Sequence, residues 1–129
     1  MIITGAVLAA LAALLHVFIF YLESTAWTTP RARAIFGLTE QEADSTREMA
    51  FNQGFYNLFL AVEVLVGVIV TVTTTAGGIG LALTLAGTVS MSGAAAVLWS
   101  TSPDKRGAAL KQGLLPVAAV VLLAVGAAM

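Results

Sequence analysis

Apolar residues run along this chain in four long stretches, at 2–22, 49–70, 79–99 and 110–129, without the regular polar interleaving of a soluble helix or strand. Crossing ~30 Å of hydrocarbon takes about 20 apolar residues at a rise of ~1.5 Å each. Each stretch therefore predicts one transmembrane helix, and the four predict an all-α, antiparallel four-helix bundle forming one domain over residues 1–129. The first stretch has no Lys or Arg ahead of its apolar core and is too long for a signal peptide, which predicts a retained helix.

The long polar segment, 23–48, carries helix signals of its own. Thr29-Pro30 places a capping residue before a proline, and Thr39-Glu40-Gln41-Glu42 has the spacing of a capping box opening a helix into the second span. Ile35, Phe36 and Leu38 are expected at the membrane interface, as are the indoles of Trp27 and Trp99.

Charge fixes the expected orientation. Arg31, Arg33 and Arg47 flank the first connection and Lys105, Arg106 and Lys111 the third, whereas 71–78 is uncharged and rich in Thr and Gly. Basic residues are retained on the cytoplasmic side during insertion. Both charged loops are thus predicted in the cytoplasm and both termini outside, in a multi-pass protein of the cytoplasmic (inner) membrane.

Composition narrows the chemistry. Of 129 residues, 59% are hydrophobic and 10% charged, against roughly 25% charged in soluble domains. Dissolved in water, such a chain would expose apolar patches that a lipid bilayer, its expected partner, accommodates. A net charge of −1 supplies no field for nucleic acid. The absence of cysteine removes disulfides, thiolate metal sites and a cysteine nucleophile. No glycine-rich phosphate loop with a following lysine, metalloprotease helix or serine elbow is present, and neither a metal nor a cofactor is predicted. The one mixed nitrogen and oxygen set on offer is His16 with Glu23 and Glu48.

Helices in lipid associate through close packing and interhelical hydrogen bonds, because lipid tails are as apolar as leucine. Gly5, Ala9 and Ala13 mark one such seam. Gly80, Thr84, Thr88, Ser92, Ala96 and Ser100 mark another along the third span, drifting by ~40° per step. Pro116 removes an N–H from the last span and is expected to bend it.

Polar residues inside a bilayer require a partner or a function, and here they gather at one level. His16 and Glu23 stand seven residues apart on one face of the first span. Glu48, Asn52, Gln53, Tyr56 and Asn57 open the second, and Gln112 enters the fourth. Spans one, two and four would bring these eight residues into one layer in the cytoplasmic half, a candidate ligand-binding pocket; the same amides could instead tie the helices together. Glu63 stands apart, toward the outer half, where a neutral carboxyl or a polar crevice beside Thr84 or Thr88 is expected.

The succession His16, Leu22-Glu23, Trp27, Arg33, Phe36, Asn52-Gln53-Gly54, Tyr56-Asn57, Phe59-Leu60-Ala61, Gln112-Gly113 and Pro116 resembles the DUF1304 family of small bacterial membrane proteins over nearly the whole chain. Glu63 lies outside that pattern. The resemblance implies a four-span membrane protein and carries no assigned activity. Three functions stay open: a homo-oligomer that binds or transports a small polar or cationic solute; a membrane enzyme acting on a lipid, isoprenoid or quinone, with His16 and Glu23 as acid and base; and a structural or accessory subunit. No catalytic residue is assigned among them.

Overall fold

Each apolar stretch becomes one long helix, and the polar connections form short helices between them. The computed structural model describes residues 1–129. Helix α1 spans Ile2–Phe20 and continues as one wide π turn, Tyr21–Thr25; α2 spans Pro30–Phe36 and α3 Glu40–Ser45. The remaining long helices are α4, Arg47–Thr73, α5, Gly77–Thr101, and α6, Arg106–Ala128, the last preceded by a 3₁₀ turn at Pro103–Lys105. There is no strand. Helix α1 packs against α4 and α6, and α5 packs against the same two, closing a ring of four neighbours. Four helices long and apolar enough to span a bilayer, packed in this way, make a four-helix membrane bundle.

Local chemistry sets the ends of the short helices. The Thr29 hydroxyl accepts from the Ala32 N–H, Pro30 fills the first helical turn, and α2 stops at Gly37, whose φ of 69° favours glycine. At Thr39 the capping box forms, and Glu42 accepts from the Thr39 N–H and hydroxyl, both at 2.8 Å. Those two bonds hold the Glu42 carboxyl below the usual carboxylate range. The helix that this box opens does not run directly into the second span. It breaks at Thr46 (φ −104°, ψ 4°), and α4 starts afresh at Arg47.

Small residues hold the seams as the spacing predicts on α1, where Gly5, Ala9 and Ala13 are all buried. A methyl group at Gly5 would stand 2.8 Å from Leu123 Cγ, so the missing side chain sets how closely α1 and α6 approach. Between α4 and α5 the contact is backbone to backbone: a methyl at Gly67 would reach the Thr84 nitrogen at 2.6 Å, and one at Gly80 would strike the Thr71 nitrogen. Farther along α5 the predicted stripe leaves the interface. Gly80, Thr84 and Thr88 are buried, Ser92 is half-buried, and Ala96 and Ser100 are exposed, while Met91 and Ala95 take over the inner face. A drift of ~40° per four-residue step accumulates to about half a turn over five steps. The hydroxyls of Thr84, Thr88 and Ser92 each donate to the carbonyl four residues earlier, which satisfies them within α5. They line a packed seam, and the core beside it is built from Ala9, Ala12, Ala13, Ala61, Val64 and Met91. Glu63 is half-buried on α4 and lies against α5 at Gly87, where a methyl would stand 3.7 Å from its carboxyl carbon.

Candidate functional site

At the end of the bundle that carries the charged loops, the four long helices line a half-open cavity of about 530 Å³. Helix α1 contributes Leu15, Phe18 and Ile19 to its wall and the π turn contributes Leu22; α4 contributes Leu60, and α5 contributes Ala94 and Leu98. Polar side chains enter from three sides: Glu23 from the π turn, Gln53, Tyr56 and Asn57 from α4, and Lys111 and Gln112 from α6. Lys105 from the preceding 3₁₀ turn completes the set. Trp27, Ile35 and Phe36 lie over the same opening, so the segment of α2 forms a partial roof.

The roof is held by specific contacts. The Trp27 ring packs on Phe36 at 4.8 Å between centroids, and its N–H donates to the Thr46 hydroxyl at 3.1 Å. Arg33 pairs with Glu40 at 3.2 Å, joining α2 to α3. Below the roof, the π turn is locked to α4. Ser24 donates to the Phe51 carbonyl at 2.9 Å, and Gly54 lies so close that a methyl there would strike the Ser24 hydroxyl. Within Asn52-Gln53-Gly54 and Tyr56-Asn57, then, the glycine permits the approach and Gln53, Tyr56 and Asn57 face the cavity.

The eight residues singled out from the sequence fare differently. Glu23 and Asn57 meet, the amide donating to the carboxylate at 2.9 Å and also to the Gln53 carbonyl at 3.1 Å. Gln53, Tyr56 and Gln112 share the cavity with them. His16 does not. It is 2% exposed, and Nδ1 sits 2.9 Å from the Ala12 carbonyl. A carbonyl only accepts, so Nδ1 carries the proton there. Asn52 and Glu48 are also outside: the Asn52 amide donates to the Glu48 carbonyl at 3.2 Å, and both residues are exposed. His16, Glu23 and Glu48 do not gather into a group of three metal-ligating side chains.

The seven-residue spacing of His16 and Glu23 keeps one face only while the helix holds 3.6 residues per turn. The wide turn that begins at Tyr21 breaks that relation. Sequence reasoning misses two groups of lining residues. Lys105 and Lys111 read there as markers of orientation, and Trp27, Ile35 and Phe36 as interface anchors. The position of Lys111 beside Gln112 is the available signal, since α6 runs antiparallel to α1 and brings both to the level of Glu23.

The model of a family described as a protein of unknown function, DUF1304, matches residues 10–124, most of the chain and every element that lines the cavity. Comparison with curated proteins and with solved structures finds no match.

Proposed function

Because the chain belongs to the DUF1304 family, whose description names no activity, function has to be argued from the cavity itself, and we propose that the protein binds an amphiphilic small molecule there, its polar head at the charged end and its apolar part among the helices. The observation that carries this is the cavity's division: apolar side chains from α1, α4 and α5 form most of the wall, and the amides, phenol, carboxylate and lysines gather around the opening. Its volume is that of a site for a small ligand, which spans ~300–1,000 Å³. A small polar or cationic solute, the first expectation from sequence, suits such a wall less well, because it would leave most of the surface without complementary contacts. Acid–base chemistry by a His16 and Glu23 pair is disfavoured by the placement of His16 outside the cavity.

In nanodiscs of phosphatidylcholine, a dansyl-labelled undecanoate probe should show saturable, blue-shifted fluorescence beyond that of empty discs, displaced by at least one single-chain amphiphile. No saturable signal from any head type would contradict the proposal. His16 has a separate expectation: His16→Leu should remain folded and bind the probe as the parent does, whereas His16→Ala should lose about 2 kcal/mol or more of stability from the space left behind. Loss of probe binding in folded His16→Leu would return His16 to the site.

The same reading places the charged loops and the cavity mouth in the cytoplasm and the protein in the cytoplasmic membrane, supported by the one-sided basic residues. Cysteines introduced at Ala32 and Ser102 should react with an impermeant maleimide only after permeabilisation, and one at Thr74 without it. The reverse pattern would invert the topology. The homo-oligomer expected from so short a chain is a separate part of the proposal, for which a dimer in nanodiscs is the expected species.

A further inference from the structure

Six basic residues belong to the chain, and their destinations differ. Arg33 is paired with Glu40 at 3.2 Å. Arg106 lies over the Trp99 ring at 5.2 Å and donates to the Trp99 carbonyl at 3.3 Å; Trp99 lines the α5–α6 groove on another face of the bundle. Arg31 and Arg47 do not line the cavity. Lys105 and Lys111 do. Neither has a carboxylate within 4 Å, since Arg33–Glu40 is the molecule's one ion pair.

Asp104 precedes Lys105 in the same turn but makes no ion pair with it, and the two acidic groups that face the lysines from other elements are engaged. Glu42 feels the charge of Lys105, but its carboxylate accepts from the Thr39 N–H and hydroxyl. Glu23 faces the same cavity from the α1 side and accepts from Asn57. Two ammonium groups without ion-pair partners thus stand at the rim of an apolar cavity, beside the amide donors of Gln53 and Gln112 and the Tyr56 phenol.

Resting on the proposed binding role of this cavity, we propose further that its ligand is an anionic amphiphile, a single-chain carboxylate or phosphate whose head is held by Lys105 and Lys111. Lysine suits such a head, because its compact charge binds carboxylate or phosphate oxygens from a flexible stem, and the stem itself covers apolar surface below. Glu23 sets the side. It faces the head from the α1 wall at the level of Lys111, so the anion stays against the lysines and the chain extends past Leu15, Ile19, Leu60 and Leu98.

The test measures displacement of dansyl undecanoate from the protein in phosphatidylcholine nanodiscs by dodecanoate, dodecyl phosphate, dodecanol and dodecylamine. A hydrogen bond to a charged group contributes ~1.5–3 kcal/mol, which corresponds to a ratio of about 10- to 150-fold. One or both anions should therefore displace the probe at least about tenfold more effectively than dodecanol or dodecylamine. The stronger of the two identifies the head as carboxylate or phosphate. In the Lys105→Gln/Lys111→Gln double variant, that ratio should fall toward unity. If the double variant does not fold, the parent series decides alone. Equal displacement by dodecanol, or a preference for dodecylamine, would overturn the anionic head and leave amphiphile binding intact. Failure of every compound and of the probe itself would remove the binding role as well.

Discussion

Gly80→Ala should cost the bundle about 1–3 kcal/mol or more, although it adds one methyl group to a helix that alanine favours. The added carbon would strike the Thr71 nitrogen and stand 2.7 Å from both the Gly67 carbonyl oxygen and the Thr71 hydroxyl. Two of these atoms belong to the backbone of α4 and cannot rotate away, so α4 and α5 must separate along their seam. In lipid that separation carries a direct penalty, because close packing rather than the hydrophobic effect holds the helices together. Gly93→Ala on the same helix is the matched control: a methyl there meets nothing within 4 Å. It should be neutral or slightly stabilising. Unfolding of the two variants in mixed detergent, followed by circular dichroism, measures the difference, and equal midpoints would contradict the backbone contact between α4 and α5.

Ala94→Trp should abolish amphiphile binding while leaving the bundle assembled. Ala94 lies on the cavity wall contributed by α5, facing the space that the apolar part of the ligand would occupy. An indole there fills much of that space, and the ligand loses the contacts with Leu60 and Leu98 that surround it. Because Ala94 is exposed to the cavity rather than buried between helices, the larger side chain has room and the fold should tolerate it. Val97→Trp is the control on the same helix, 62% exposed and outside the cavity lining. It should bind the probe as the parent does. Displacement titrations on both variants separate a blocked site from a general effect of adding an aromatic ring to α5; equal loss in both would mean that the probe sits on the outer surface.

The number and character of the long helices were legible because lipid imposes a length and a composition that few alternatives satisfy. The tight α1 seam was legible for a related reason: Gly5, Ala9 and Ala13 stay close to one face over only two steps. Longer-range inferences lost accuracy where helical geometry changed or drift accumulated. Ala96 and Ser100 rotated out of the α5 seam, and the wide turn at Tyr21–Thr25 separated Glu23 from the face of His16. No residue type announces a π turn. The polar layer was visible as a level in the membrane, yet which of its members face the cavity depends on how α1, α4 and α6 are rotated about their axes. That rotation brings Glu23 to Asn57 and leaves Asn52 bonded to the carbonyl of Glu48. The roof was hidden more deeply, since Trp27 and Phe36 have the composition of interface anchors and only the fold of the first connection brings them to the cavity.

The most direct measurement of the central claim is the location of a bound amphiphile, read by methyl chemical shifts in a protein labelled at alanine, leucine and valine and titrated with dodecanoate. The cavity predicts saturable shifts at Leu15, Leu60, Ala94 and Leu98, with Leu114 and Val117 in the separate α5–α6 groove unmoved. Shifts confined to Leu114 and Val117, or spread evenly over the lipid-facing methyls with no saturation, would contradict it.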